Sequence, residues 1–209
     1  MSRLFSNPSA VVWALVDALA EDPFYQAITV DFSGDETNRR EILARYFDYS
    51  LGEGLQFGRR VLLREPAAAA IWLLPVAPEQ QAALDAAKAH YLGTRLGTRG
   101  NANYHRILQF MLPRAAALVG ESAWYLSIAG VAPAAQGQGA GARLLAPTLA
   151  EADGAGASCY LETFSPRSRR FYERLGFQCR ATHLEPVTGS EYAIMLRTPA
   201  DQIVPTGAR

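Results

Sequence analysis

Apolar residues recur every three or four positions over much of the first 120 residues, a spacing that predicts amphipathic helices. The predicted helices cover residues 6–20, 36–51, 79–96 and 104–119. Ser6 or Asn7 can cap the first helix, and Asp22-Pro23 is expected to end it. The glycine-rich stretch at residues 97–100 is expected to separate the last two helices.

Shorter apolar runs bounded by turn residues predict strands. In the first half, Arg64-Glu65-Pro66 supplies a turn between two of them. The predicted strands cover residues 55–63, 67–74, 123–131, 158–163 and 191–196, with one more beginning at residue 177. In the second half, helices are predicted from the end of a glycine-rich segment to residue 152 and over residues 166–175. Because no helix separates the last two strands, the pattern favours a mixed sheet in one α/β domain.

Composition places the chain among ordinary globular proteins, with 209 residues, 49% of them hydrophobic and 19% charged. The formal net charge is zero and no block of five or more like charges occurs, so neither a nucleic-acid nor a membrane partner is expected. Cys159 and Cys179 lack the spacing of metal ligands and are expected to be buried thiols. No signal-peptide pattern and no membrane-length apolar run occurs, which predicts a cytoplasmic protein.

A glycine-rich segment, Gln136-Gly137-Gln138-Gly139-Ala140-Gly141-Ala142, lies between the strand at 123–131 and the next helix. Glycines let the backbone adopt positive φ and approach a ligand closely. The free N–H groups of the first helical turn add partial positive charge. The segment therefore predicts a pyrophosphate site that needs no basic side chain.

The segment alone leaves alternatives open. Gly137, Gly139 and Ala142 also satisfy the G-x-G-x-x-G/A dinucleotide fingerprint, and Glu162 lies about where a ribose-binding acid is expected. That fold needs several more βα units, and the residues after Ala142 contain only one good helical crossover. A plain turn is the remaining interpretation.

A second motif, Phe171-Tyr172-Glu173-Arg174-Leu175-Gly176-Phe177, follows the glycine-rich segment. Together the two resemble the GNAT acetyltransferase superfamily, whose signature Q/R-x-x-G-x-G/A is matched by Gln136, Gly139 and Gly141. The resemblance covers residues 123–197 and is faint over the first 120 residues. Several stretches within residues 123–197 look similar to the puromycin N-acetyltransferase-like members of this superfamily.

The resemblance implies a single acyl-CoA N-acyltransferase domain over residues 1–209, with an acceptor-side half (1–120) and a CoA-binding half (121–200). It implies a mixed, mostly antiparallel sheet of six or seven strands with helices on both faces. The sheet is expected to splay between the strands at 123–131 and 158–163. Relatives usually open with a strand, for which only Ser2 to Phe5 remain here. The resemblance also allows a homodimer.

The implied reaction is direct transfer of acetyl from acetyl-CoA to a primary amine of a small molecule in a ternary complex, without a metal. Pantetheine would hydrogen-bond along the exposed strand edge as an added strand does. That edge consists of Ile128, Ala129, Gly130 and Val131. The pyrophosphate would bind the amides of residues 136–142, with Gln138, Ala140 and Ala142 among them.

Tyr172 matches the general acid of the family, which protonates the departing thiolate. A phenol of pKa about 10 stays protonated at pH 7 and can donate to a thiolate of pKa about 8.5. For the general base, Glu162 is the first candidate. The alternative interpretation is that Glu162 is only a surface or salt-bridged carboxylate. Glu53 and His105 are weaker candidates.

Two positions depart from the family pattern. Ser165 and Ser168 stand where relatives often have asparagine. A serine hydroxyl can still contact CoA, although its reach is shorter.

Two other functions compete with the acetyltransferase. One is a CoA-binding module without turnover, and the other is a dinucleotide-binding oxidoreductase.

Overall fold

The computed structural model describes residues 9–65 and 67–199. The predicted caps Ser6 and Asn7, the predicted first strand at residues 2–5 and the turn residue Pro66 lie outside the described residues. Within those ranges, no helix combines the length and the apolar character that a membrane span requires.

The described residues form seven α-helices and six β-strands. The helices are α1 (Ala10–Leu19), α2 (Pro23–Ile28), α3 (Glu36–Phe57), α4 (Pro78–Gly93), α5 (Gly97–Ala116), α6 (Ala140–Gly154) and α7 (Pro166–Glu173). The strands are β1 (Gly58–Leu63), β2 (Ala68–Leu73), β3 (Trp124–Val131), β4 (Cys159–Thr163), β5 (Gln178–Glu185) and β6 (Ser190–Arg197).

The strands form one mixed sheet in the order β1-β2-β3-β4-β6-β5. Only β3 and β4 run parallel, and the other neighbours are antiparallel. The predicted α/β class and mixed sheet are confirmed. A dinucleotide-binding fold is excluded, because it requires a mostly parallel sheet built from repeated βα units.

Helices cover both faces of the sheet, as predicted. On one face, a core that includes Leu15, Phe47 and Ile107 joins α1, α2, α3 and α5 to the sheet. On the other face, α6 and α7 pack through a core that includes Leu144 and Phe177. Each face of the sheet is therefore buried against helices.

Asp22-Pro23 was expected to end a helix, and it also begins one. Helix α1 ends at Leu19, and the Asp22 carboxylate then accepts a hydrogen bond from the Phe24 N–H at 2.9 Å. An aspartate before a proline is a good N-cap, since proline suits the first helical position. The additional helix is α2.

Helix α3 extends beyond the predicted end at residue 51, so β1 begins at Gly58 and not at residue 55. Gly54 permits this extension, since a Cβ there would lie 2.8 Å from the Ile71 side chain. The glycine lets α3 continue in close contact with β2. At Gly58 a Cβ would lie 1.8 Å from the Trp72 carbonyl oxygen, which only glycine avoids.

Residues 97–100 were expected to interrupt the helices, and they form the first turn of α5. The Asp31 carboxylate accepts hydrogen bonds from the N–H groups of Arg99 at 2.7 Å and Gly100 at 3.2 Å. A distant carboxylate thus satisfies the first-turn amides. The cysteine prediction is half right, because Cys159 is buried and Cys179 is only half-buried.

Candidate active site

Strand β3 contains one extra residue, Ser127. Trp72 on β2 pairs with Leu126, and Ile71 pairs with Ile128, so Ser127 has no partner on β2. A bulge of this kind shifts the faces that the following side chains occupy. Leu126 packs in the core with α6, whereas Ile128 packs in the opposite core with α1.

Beyond this region β3 and β4 separate. They pair only at Trp124 with Cys159 and at Tyr125 with Tyr160. Further along, β3 pairs with β2 alone and β4 pairs with β6 alone. The predicted splay is confirmed, and it leaves the main-chain groups of one β3 edge without a neighbouring strand.

The glycine-rich segment connects this strand to α6. Gly137 and Gly139 have φ values of 80° and 77°, and no atom lies within 4 Å of a Cβ built at either position. The Gln136 side chain donates to the Val131 carbonyl oxygen at 3.1 Å, which fixes the segment to the end of β3. The N–H of Arg143 bonds to the Gly139 carbonyl oxygen at 3.2 Å. The preceding first-turn amides of α6 have no acceptor within the helix.

Helix α7 packs across the start of α6. A Cβ on Gly141 would lie 3.0 Å from the Phe171 ring, so this position requires a very small residue. The Ser165 hydroxyl caps α7 by accepting from the Ser168 N–H at 3.1 Å. The two motifs recognised in the sequence are therefore in direct contact.

A cavity of about 600 Å³, the loop cavity, extends from the glycine-rich segment to Tyr172. Most of the predicted cofactor-binding residues line it. They are Ala129, Gly130, Val131, Gln136, Gly137, Gly139, Gly141, Ala142 and Ser168. Arg167 and Arg174 of α7 also line this cavity, although the sequence suggested no role for a basic side chain.

Four predicted cofactor-binding residues lie outside the lining of the loop cavity. Ile128 lines the neighbouring cavity. Gln138 donates its side-chain amide to the Ala134 carbonyl oxygen at 3.2 Å, and Ala140 is buried. Ser165 serves as the cap of α7.

A second cavity of about 1180 Å³, the helical cavity, lies among α2, α3, α4, α5, β3 and β4. It shares Leu19, Ala129, Ser168 and Tyr172 with the loop cavity. The two cavities therefore meet beside the phenol of Tyr172. Two ligands could approach each other at this point from opposite sides.

Tyr172 is buried on α7 between two aromatic neighbours. Its ring centroid lies 5.1 Å from that of Phe171 and 5.8 Å from that of Phe177. Burial raises the pKa of the Tyr172 phenol well above its usual value, and the nearby Asp22 carboxylate raises it further. The hydroxyl thus keeps its proton at neutral pH and can act only as an acid until it has given that proton away.

Glu162 lies on β4 and lines the helical cavity. Its Oε2 atom accepts a hydrogen bond from the Tyr125 hydroxyl at 3.1 Å, while its buried Oε1 atom has no partner among the described residues. Burial raises the pKa of this carboxyl to about 7, and the Tyr125 hydrogen bond opposes the rise. A carboxyl with a pKa near the working pH is suited to proton transfer.

Asp22 is a titratable residue of this site that the sequence did not reveal. It lines the helical cavity, and burial raises the pKa of its carboxyl to about 6. Its position before a proline indicates a helix boundary and carries no sign of a cavity. Only the packing of α2 places it near Tyr172.

The two weaker base candidates also line the helical cavity. Glu53 forms an ion pair with Lys88, whose Nζ atom lies 2.6 Å from its Oε2 atom. His105 is exposed on α5. Among the described residues, no three His, Cys, Asp or Glu side chains are grouped closely enough to hold a metal ion.

The raised pKa of Glu162 predicts a pH-dependent stability. Because folding raises its pKa from 4.5 to about 7, its carboxyl favours the folded state most below pH 4.5. That contribution is lost as the pH rises through 7, and it amounts to about 3 kcal/mol. Glu162→Gln should therefore lose less unfolding free energy than wild type between pH 5 and pH 8 in urea titrations. Glu191→Gln, an exposed change on β6, is the control, and equal losses in all three proteins would contradict the prediction.

Known proteins resemble this chain both in sequence and in fold. A sequence model described as an acetyltransferase (GNAT) domain matches residues 104–179. The match includes β3, the glycine-rich segment and α7. A crystal structure from Corynebacterium glutamicum, described as histone acetyltransferase HPA2 and related acetyltransferase, aligns with 94% of this chain and 92% of its own at a TM-score of 0.61. Its sequence identity to this chain is 21%.

This is the GNAT fold. It also recurs in arylalkylamine N-acetyltransferase 2 from Aedes aegypti, with a TM-score of 0.59, 12% identity and coverage of 90% of this chain and 92% of that one. Polyamine N-acetyltransferase from Drosophila melanogaster has a TM-score of 0.57 and 18% identity, again with 90% and 92% coverage. The matched GNAT domain and the shared GNAT fold support an acyltransferase.

Proposed function

We propose that this chain transfers the acetyl group of acetyl-CoA to a primary amine of a small molecule, by direct attack within a ternary complex. The observation that carries the proposal is the meeting of the two cavities beside Tyr172. The loop cavity serves acetyl-CoA and the helical cavity serves the amine. In this assignment residues 121–200 are the CoA-binding half and residues 1–120 the acceptor-side half.

The residues of the loop cavity fit acetyl-CoA. Gly137 and Gly139 leave open space over the backbone, and the first-turn amides of α6 supply donors for a diphosphate. The free β3 edge over residues 128–131 supplies main-chain groups for pantetheine. Ser168 lines the same cavity and would contact this ligand, whereas the Ser165 hydroxyl is engaged in capping α7.

When bound, acetyl-CoA supplies an activated acetyl group as a thioester. Glu162 accepts a proton from the acceptor ammonium, so that the neutral nitrogen can attack. A main-chain N–H near Ile128 stabilises the oxyanion that develops, a contribution of about 3 kcal/mol in other enzymes. The Tyr172 hydroxyl donates its proton to the departing sulfur, and the second proton that the attacking nitrogen must lose passes to the Tyr172 phenolate. A C–N bond forms and a C–S bond breaks.

Several features support a small amine as the acceptor. The helical cavity has a volume of about 1180 Å³, slightly more than the ~300–1,000 Å³ typical of small-molecule sites, so it has room for a whole small amine. Structural neighbours named as polyamine and arylalkylamine N-acetyltransferases share the fold. The resemblance of the sequence to puromycin N-acetyltransferase-like proteins also agrees with a small amine as the acceptor. We further propose that the reaction takes place in the cytoplasm. That the protein forms a homodimer stays a prediction.

The test is an assay of CoA thiol release with acetyl-CoA and a panel of primary amines, together with calorimetric titration of CoA. We expect thiol release that depends on the amine, with one acetylated amine formed for each CoA thiol released. Binding of CoA without transfer to any amine would instead identify a CoA-binding module. If the protein neither binds CoA nor transfers acetyl to any amine, the proposal is wrong.

A further inference from the structure

The helical cavity has an unequal charge balance. Its lining includes the carboxylates of Asp22, Glu53, Asp85, Glu121 and Glu162. Lys88 is the single lysine or arginine among the described residues that line it, and His105 is its only histidine there. A cavity lined by carboxylates favours a cationic ligand, because its walls lower the potential inside.

Three of these carboxylates define two regions of the cavity. Glu162 lies on β4 beside the splayed edge, close to the proposed reaction. Glu53 and Asp85 belong to α3 and α4, and neither helix contributes a residue to the loop cavity. A molecule with its reacting nitrogen at Glu162 would extend toward this second region, away from acetyl-CoA.

The second region already holds one ammonium group. The Lys88 Nζ atom is 2.6 Å from Glu53 and 5.4 Å from the centroid of the Tyr46 ring. A carboxylate and an aromatic face together attract a cation. Asp85 accepts a hydrogen bond from Gln81 at 2.9 Å and has no lysine or arginine partner among the described residues.

The first region contains an independent sign of a ligand. The Oε1 atom of Glu162 is buried in the described structure without a hydrogen-bond donor. A buried acceptor without a donor is costly in free energy, and the cost is larger for a charged group. An ammonium group of the acceptor would supply the missing donor.

We infer that the acceptor is an amine that bears a second cationic group, such as a diamine or an aminoalkyl guanidine. Its reacting nitrogen binds at Glu162, and its distal cation binds at Asp85 and Glu53 beside Tyr46. This inference rests on the proposed acetyltransferase function. It adds the second charge, which that function does not require.

The test uses three acceptors with a four-carbon chain. They are 1,4-diaminobutane, butylamine and 4-aminobutanoate, which end in an ammonium, a methyl group and a carboxylate. We expect kcat/KM for 1,4-diaminobutane to exceed that for butylamine at least tenfold, with 4-aminobutanoate the poorest. Equal values for the first two would overturn the inference. A preference for 4-aminobutanoate would also overturn it, because Lys88 would then bind an anion.

Two variants locate the distal site. Glu53→Gln and Asp85→Asn should each lower the diaminobutane-to-butylamine ratio of kcat/KM, Glu53→Gln by tenfold or more. Asp85 is exposed, so its replacement tests the inference even if Glu53→Gln fails to fold. Asp48→Asn on α3 and Glu79→Gln on α4 make the same charge changes at exposed positions outside the cavity and should keep the wild-type ratio. A ratio unchanged in Asp85→Asn and in folded Glu53→Gln would overturn the site.

A binding measurement separates this inference from the proposed function. Calorimetric titration of 1,4-diaminobutane and butylamine into the protein with CoA needs no turnover. Tighter binding of the diamine without any acetyl transfer would retain the dicationic ligand and remove the acetyltransferase proposal. Transfer without a preference between the two amines would retain the acetyltransferase and remove the dicationic ligand. If neither amine binds and no acetyl group is transferred, both the dicationic ligand and the acetyltransferase proposal are wrong.

Discussion

Tyr172→Phe is expected to lower kcat tenfold or more while the Kd for CoA stays within about twofold of wild type. Phenylalanine preserves the ring that packs against Phe171 and Phe177, and it removes only the hydroxyl. Loss of a general acid typically costs between about a hundredfold and ten-thousandfold when no other donor replaces it. Water in the adjoining cavity can replace part of the donation, which sets the lower limit at tenfold.

Single-turnover kinetics and CoA calorimetry would check this expectation. Tyr91→Phe is the matched control, since Tyr91 stacks on Tyr49 and lines neither cavity. That variant should keep both kcat and the Kd for CoA. Wild-type turnover by Tyr172→Phe would remove the phenol from the mechanism. A large loss of CoA binding would instead assign Tyr172 to the cofactor site.

In the proposed mechanism, the raised pKa of Tyr172 and the pKa of Glu162 near 7 suit the two groups to opposite tasks. Glu162 must be ionised to accept a proton, so activity should rise with pH through about 7. Tyr172 must be protonated, and its raised pKa keeps it so over the same range. Burial is the main cause of both shifts. Under this proposal, one desolvated site supplies both the base and the acid at the same pH.

The sequence predicted those parts of the fold that depend on local pattern. The glycine-rich segment and the Phe171–Phe177 motif contain their own signals, because positive φ at Gly137 and Gly139 needs glycine there. The succession of strands and helices along the second half of the chain followed from the same kind of pattern. The mixed sheet followed from two consecutive strands without an intervening helix.

Features created by tertiary contact were not predicted. The bulge at Ser127 is invisible in W-Y-L-S-I-A-G-V, which reads as one uninterrupted strand. Helix α3 continues past residue 51 to a point where Gly54 lets it lie close to Ile71 of β2. Glu53 and Lys88 meet only through the packing of α3 and α4. No spacing within either helix indicates that they share a cavity.

The second large effect is expected at Gly139, where Gly139→Glu should weaken CoA binding a hundredfold or more. Gly139 lines the loop cavity as the N-cap of α6, and the space around a Cβ there is open. A glutamate would place a negative charge where the proposed diphosphate binds. Two like charges about 4 Å apart repel by on the order of 4 kcal/mol at an effective dielectric constant of 20.

Backbone strain must be separated from this charge effect. Gly139 has a φ of 77°, so any other residue is strained there by about 1–3 kcal/mol. Gly139→Gln introduces the same strain and nearly the same volume as Gly139→Glu without the charge, and Gly139→Ala introduces the strain with one methyl group. Calorimetric Kd values for CoA should therefore increase from wild type through Gly139→Ala and Gly139→Gln to Gly139→Glu.

The step between the glutamine and glutamate variants decides the question. If the main-chain amides of α6 hold a diphosphate, this step should be at least tenfold and should shrink at high salt, because added ions screen the repulsion. If the glycine-rich segment is only a turn, the two variants should differ little, since both carry the same strain. Unfolding measurements without CoA should place the two variants within about 1 kcal/mol of each other, because a Cβ at position 139 has no neighbouring atom within 4 Å in the folded protein.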